Sequence, residues 1–133
     1  MRVETYYRRA NEGVVGFPMY FARKVYDSCP IFQHRNFDEF LFTTGMTIRG
    51  TPRWEYVVFD DNDHIVASMA VYKEYDMHVG ECLSVLCAFS TDNHSLFGGY
   101  RWLIKLAKEE MCPFIAYTRK TGDYTMDLTY RKM

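Results

Sequence analysis

Apolar and polar positions alternate weakly from Arg2 to Arg8, with Val3, Thr5 and Tyr7 set against Arg2, Glu4 and Tyr6, which predicts a short opening strand. The segment Ala10 to Gly16 reads as a loop, and Pro18 then sits near the first turn of a helix. Phe17, Tyr20, Phe21 and Val25 line one face of that helix, which ends around Ser28 before Pro30. Asn36 has the character of an N-cap, with Glu39 three residues on in the capping-box position. Phe37, Phe40 and Leu41 give this second helix its apolar face, and Gly45 suits its C-terminal cap.

Beyond this point the period shortens to two. Two β-rich runs, Arg53 to Phe59 and His64 to Glu74, flank the turn Asp60 to Asp63 and predict a hairpin. Tyr75 to Gly80 turns again into the apolar run Leu83 to Phe89, which carries no charge and lacks strict alternation, the pattern of a strand buried on both faces. The polar loop Ser90 to Ser95 offers several helix N-caps, and Gly98-Gly99 lets the backbone approach a neighbour closely. Trp102, Leu103, Leu106 and Ala107 follow at helical spacing, with Arg101, Lys105, Lys108 and Glu109 between them. Pro113 marks a restart into the strand Phe114 to Lys120. Thr121-Gly122-Asp123 turns it into Tyr124 to Lys132, where Tyr124, Met126, Leu128 and Tyr130 share a face.

The order is therefore β-α-α-β-β-β-α-β-β. A helix between the fourth and fifth strands is what a parallel crossover requires, whereas the hairpins make the other pairs antiparallel. The expected fold class is α/β of the mixed α+β kind: one domain over residues 1–133, built on a single mixed, twisted sheet with helices on both faces.

Composition narrows the function. Of the 133 residues, 48% are hydrophobic and 25% charged, the profile of an ordinary soluble globular domain. Aromatics reach 17%, with 11 Tyr and 10 Phe beside 8 Met, which supplies either a core of large adaptable pieces or a surface suited to a partner. A net charge of −1 and a pI near 6.4 provide no field for nucleic acid or acidic membranes, so neither is expected as a partner. No apolar run is long enough to span a bilayer, and no signal peptide is evident. Cys29, Cys82, Cys87 and Cys112 show no CxxC spacing and the four histidines are scattered, so no metal site is expected, and free thiols point to a reducing, cytoplasmic setting.

A strand, a glycine-bearing loop and a helix N-terminus form a place for an anion, since free N–H groups and the helix dipole converge there. This stretch and the element order resemble the GNAT N-acetyltransferase superfamily over nearly the whole chain. Gly98 lands on the first glycine of the family's R/Q-x-x-G-x-G/A loop, and Leu103-Ile104 land on the apolar pair of the helix that follows. The resemblance implies an acyl-CoA N-acyltransferase fold with acetyl-CoA as cofactor. Cys87, Ala88 and Phe89 would then offer the fourth strand's main chain to the pantetheine arm where that strand splays from the fifth. The loop from Ser95 through Phe97, Gly98 and Gly99 to Tyr100 would hold the pyrophosphate.

Two positions depart from the motif: Ser95 stands in place of Arg or Gln, and Tyr100 in place of the second Gly or Ala. The family's helix after the fifth strand is also absent. That helix often carries a tyrosine that protonates the CoA thiolate, a role for which Tyr124 or Tyr117 are the substitutes. Glu81, at the start of the fourth strand, is the candidate base for the incoming ammonium, or else a solvated residue after the turn. For Cys87 the core reading is favoured over a nucleophile. Two functions stand open. One is an acetyl-CoA-dependent transferase acting on a small amine or a protein amine. The other is a non-catalytic domain of that fold making protein contacts, resembling small bacteriophage proteins that serve as virion parts or host-interaction factors, located in the host cytoplasm or the virion.

Overall fold

The computed structural model describes residues 1–133 except Val15 and Asn93. Six strands form one sheet in sequence order: β1 (Arg2–Arg8), β2 (Arg53–Phe59), β3 (Ile65–Asp76), β4 (Gly80–Ser90), β5 (Phe114–Lys120) and β6 (Met126–Lys132). Every neighbouring pair is antiparallel except β4 and β5, which are parallel. The helix between those two strands, α3 (Phe97–Glu109), packs on one face of the sheet. Helices α1 (Met19–Ser28) and α2 (Phe37–Arg49), joined by a 3₁₀ turn at Pro30–His34, cover the other. The fold is thus the mixed α+β sheet with helices on both faces that the sequence predicts. Its order and its parallel fourth and fifth strands are consistent with an acetyltransferase-like fold.

Two cores follow from the two faces. On the α3 side, Tyr56, Val58, Met69, Val71, Leu83 and Ile115 meet Leu103, Leu106 and Ala107. On the other side, Val57 and Ile65 meet Phe17, Phe21, Val25, Phe40 and Ile48. The alternation along β2 divides Val57 from Tyr56 and Val58, as a strand covered on both faces requires.

Several boundaries differ from expectation. Helix α2 does not stop at Gly45: it continues for another turn to Arg49, with Gly50 as its C-cap, because Ile48 belongs to the buried face. Its start is as read, with the Asn36 side chain accepting from the Glu39 N–H at 2.8 Å. The run Leu83 to Phe89 is buried on both faces only in its first part. Cys82, Leu83 and Ser84 are buried, but Val85 to Ser90 are only partly covered or exposed. Nor does the polar loop cap α3, whose N-cap is Leu96 and has no side-chain cap bond.

A buried ion cluster absent from the sequence reading anchors the loop before α1. Arg53 and Glu55 are both buried on β2. Arg53 Nη2 lies 3.4 Å and Arg8 Nε 3.7 Å from Glu55 Oε2. Glu55 Oε1 accepts from the Gly16 N–H at 3.1 Å, and Arg53 donates to the carbonyls of Thr51 and Arg49 and to that of Gly13. The network joins β1, β2, the end of α2 and the loop. The signal was present: Arg53 and Glu55 share strand parity with core Val57, which directs them inward.

Candidate functional site

The β4–β5 ladder is short. Only Cys82, Leu83 and Ser84 pair with Phe114, Ile115 and Ala116, after which the two strands part. Beside that fork β4 carries a bulge. Cys87 pairs with Ala70 and Val85 with Val71, so Leu86 has no partner on β3. An extra residue bends a strand and re-aims its side chains. Here it reverses the alternation: Leu83 and Val85 face the α3 side, whereas Leu86, Cys87 and Phe89 pack with the α1–α2 side. The missing alternation in the sequence is thus the trace of this bulge.

Fork and bulge together open a groove of about 400 Å³ on the α1 side. Its wall on β4 is Val85 to Ser90, its far wall is Thr118 and Lys120 with Met126, and Val25, Cys29 and Phe32 close it beneath α1. The lining is mainly apolar. Beyond the fork, β4 has no hydrogen-bonded neighbour on the β5 side among the described residues, so the edge of its main chain faces this space. Desolvation in the partly covered groove wall pushes the Cys87 thiol up to about 12, which keeps it protonated at neutral pH.

Cys87, Ala88 and Phe89 therefore stand together in the groove wall. The other expected site residues are divided among three places. Glu81 is exposed at the opposite end of β4, in a depression it shares with Lys73, Glu74 and Glu110, and lies about 17 Å along the strand from the bulge. Tyr124 is 71% exposed in the β5–β6 turn. Tyr117 points to the α3 side of β5, edge-on to Tyr100 with ring centroids 5.5 Å apart. The Tyr100 hydroxyl accepts from Arg131 Nη1 at 2.6 Å. That bond lowers the pKa of Tyr100, while the contact with Tyr100 raises that of Tyr117. So the Tyr100 ring turns toward Arg131 and Tyr117.

Several bonds within the loop before α3 hold its described residues. The Asp92 carboxylate accepts from the His94 N–H at 3.0 Å, the Ser95 N–H at 2.7 Å and the Ser95 hydroxyl. These bonds hold it well below the usual carboxylate range, so a full negative charge occupies the loop. The Phe97 N–H is bonded to the His94 carbonyl and the Gly99 N–H to that of Leu96. Phe97 itself is 75% exposed. The paired glycines make room for a neighbour within the protein: a Cβ on Gly98 would lie 2.5 Å from the Tyr56 hydroxyl, and one on Gly99 would lie 3.0 Å from the Met69 methyl. The close approach expected of Gly98-Gly99 exists, and its partners are these core side chains.

No family model matches the chain, and no curated protein matches it in sequence. Among solved structures, that of a possible acetyltransferase from Clostridium difficile 630 aligns over 81% of this chain and 70% of its own, at 14% identity and a TM-score of 0.44. The fold described above stands on its ladders and element order. Among the described residues no helix is long and apolar enough to cross a membrane.

Proposed function

We propose that this domain is acetyltransferase-like and receives the acyl-pantetheine arm of acetyl-CoA in the groove between β4 and β5, for transfer to an amine. The observation that carries this reading is the fork after Ser84 and Ala116, flanked by the Leu86 bulge. An extended arm carrying amides needs two things: an apolar trough and a main-chain edge to bond with. The groove combines both along Val85 to Ser90. In that reading acetyl-CoA supplies the activated acyl group. The chain's own contribution is to align the arm on β4 and to exclude water with Val25, Phe32 and Phe89.

The residues fit the arm of the cofactor but not its phosphates. Asp92 accepts from the His94 and Ser95 N–H groups and holds a negative charge in the loop, and two unit charges 4 Å apart repel by about 1 kcal/mol in water and about 4 kcal/mol at an effective dielectric near 20. Among the described residues, Lys120 is the one charged side chain lining the groove, and no carboxylate lines it to serve as base. A second reading, a non-catalytic interaction or virion domain of the same fold, is favoured by Asp92 and by that lack.

Thermal unfolding with acetyl-CoA separates the two. A ligand present at about 100 times its dissociation constant and binding only the folded state adds roughly 2.7 kcal/mol. The transferase-like reading expects an upward shift with acetyl-CoA and with acetyl-pantetheine. Asp92→Asn, which keeps the Oδ1 acceptor for the His94 and Ser95 N–H groups and removes the charge, should tighten acetyl-CoA about tenfold and leave acetyl-pantetheine unchanged. No shift with either ligand at millimolar concentration, for the native chain and for Asp92→Asn, supports the non-catalytic reading.

A further inference from the structure

Strand β6 is one edge of the sheet, and its charges have a two-fold pattern. It runs for seven residues, with no proline and no register shift against β5, and none of the core clusters places a helix over it. Edges are usually blunted by bulges, prolines, charged side chains or covering elements, because their free N–H and C=O groups invite another strand; of these devices β6 carries only the charges of Asp127, Arg131 and Lys132. Exposed apolar side chains accompany this one: Leu128 at 57%, Met126 at 47% and Tyr124 in the adjoining turn.

We propose that β6 pairs antiparallel with β6 of a second copy of this chain, about a two-fold axis through Thr129. An axis normal to the sheet keeps each face continuous, so residues that meet must share strand parity. Centring at Thr129 sets Asp127 opposite Arg131 of the second copy and Leu128 opposite its Tyr130, each pair occurring twice. Opposite charges directly across a ladder stabilise it, and apolar–aromatic pairs do the same. Centring at Leu128 or at Tyr130 gives Asp127 no cation. At the other sheet edge, β1, the same operation about Thr5 sets Arg2 against Arg8, like against like; centring at Tyr6 sets Glu4 against Arg8, but there Arg8 already lies against the buried Glu55 and Glu4 accepts from the Tyr6 hydroxyl. On β6, charge complementarity therefore selects the register about Thr129. Met126 lines the groove, so the joined edge borders it, although the pairing does not depend on what the groove binds.

Cysteine cross-linking tests the register. Thr129→Cys sits on the axis, opposite its own copy and within disulfide reach, and under mild oxidation should give a covalent dimer of twice 15.8 kDa. Asp127→Cys alone should not, since its copies lie roughly 13 Å apart along the ladder. Mixed with Arg131→Cys, it should. In sedimentation equilibrium, Asp127→Arg should raise the dimer dissociation constant at least tenfold, with circular dichroism confirming that it is folded. Leu128→Lys is the independent second variant and should weaken the dimer likewise. A native chain that stays monomeric at millimolar concentration would overturn the proposal. So would Thr129→Cys that cross-links no faster than the native chain, or a dimer indifferent to both surface variants.

Discussion

Replacing Gly98 by alanine places a Cβ 2.5 Å from the Tyr56 hydroxyl oxygen and 3.7 Å from its Cζ. Atoms do not sit at the shorter distance, so one of them must retreat by about 0.5 Å or more. Tyr56 has little room to do so. Its ring is buried, lies 5.3 Å from Trp102 and passes under Gly99, whose own Cβ position is 3.6 Å from the ring. Overpacking of this kind costs about 1–3 kcal/mol, against which alanine in a helical turn returns up to about 1 kcal/mol. The expected net loss is about 1–2 kcal/mol, or a drop in Tm of roughly 3–10 °C for a chain of this size. Removing the hydroxyl should remove the cost: in Tyr56→Phe the nearest ring atom is 3.7 Å away, an ordinary contact, and Gly98→Ala should then be neutral or stabilising. The assay is a double-mutant cycle by urea unfolding, with a coupling of at least about 1 kcal/mol. An equal loss in both backgrounds would refute the packing account and return Gly98 to a role in the loop itself.

Arg53→Met should destabilise the fold by about 3–5 kcal/mol, because it leaves Glu55 buried against a single, more distant cation; equilibrium unfolding reads this directly. Cys87 should resist iodoacetamide at pH 8, where a free thiol reacts, and peptide mapping should find its modification far slower in the folded than in the unfolded chain. The depressed pKa of Asp92 means that its contribution is fully present above about pH 4, the unfolded value, and is lost as pH falls through the lower folded value. Acid unfolding of Asp92→Asn should therefore be less steep below pH 4 than that of the native chain, the difference vanishing at pH 7 in slope though not in stability.

Much of the fold was legible because its signals are local. The switch of period, the Asn36 cap and the turn at Asp60 to Asp63 each identify an element from neighbouring residues alone. What failed depends on partners far away in sequence. Gly45 looks like a stop, but nothing lies within 4 Å of its Cβ position, and the burial of Ile48 carries the helix past it. Gly98 matches a phosphate-loop glycine in sequence, and the contact that a Cβ there would meet, the Tyr56 hydroxyl on strand β2, comes from a residue far away in the chain. Cys87 to Phe89, which the family resemblance implies as the main chain beside the parting strands, lie in the wall of the groove. Glu81 belongs to the same strand as the groove wall, but its position before the paired segment separates it from the fork. The Asp92 turn and the Tyr100–Arg131 bond are set by side-chain geometry, which spacing does not encode.

The central claim is the location of the ligand, and amide hydrogen exchange with and without saturating acetyl-pantetheine addresses it. The arm should slow exchange along Val85 to Ser90 and at Thr118 to Lys120, the two walls beyond the fork, while β1 and the depression around Lys73, Glu81 and Glu110 stay unchanged. Protection confined to that depression, or no protection anywhere at millimolar ligand, would contradict it.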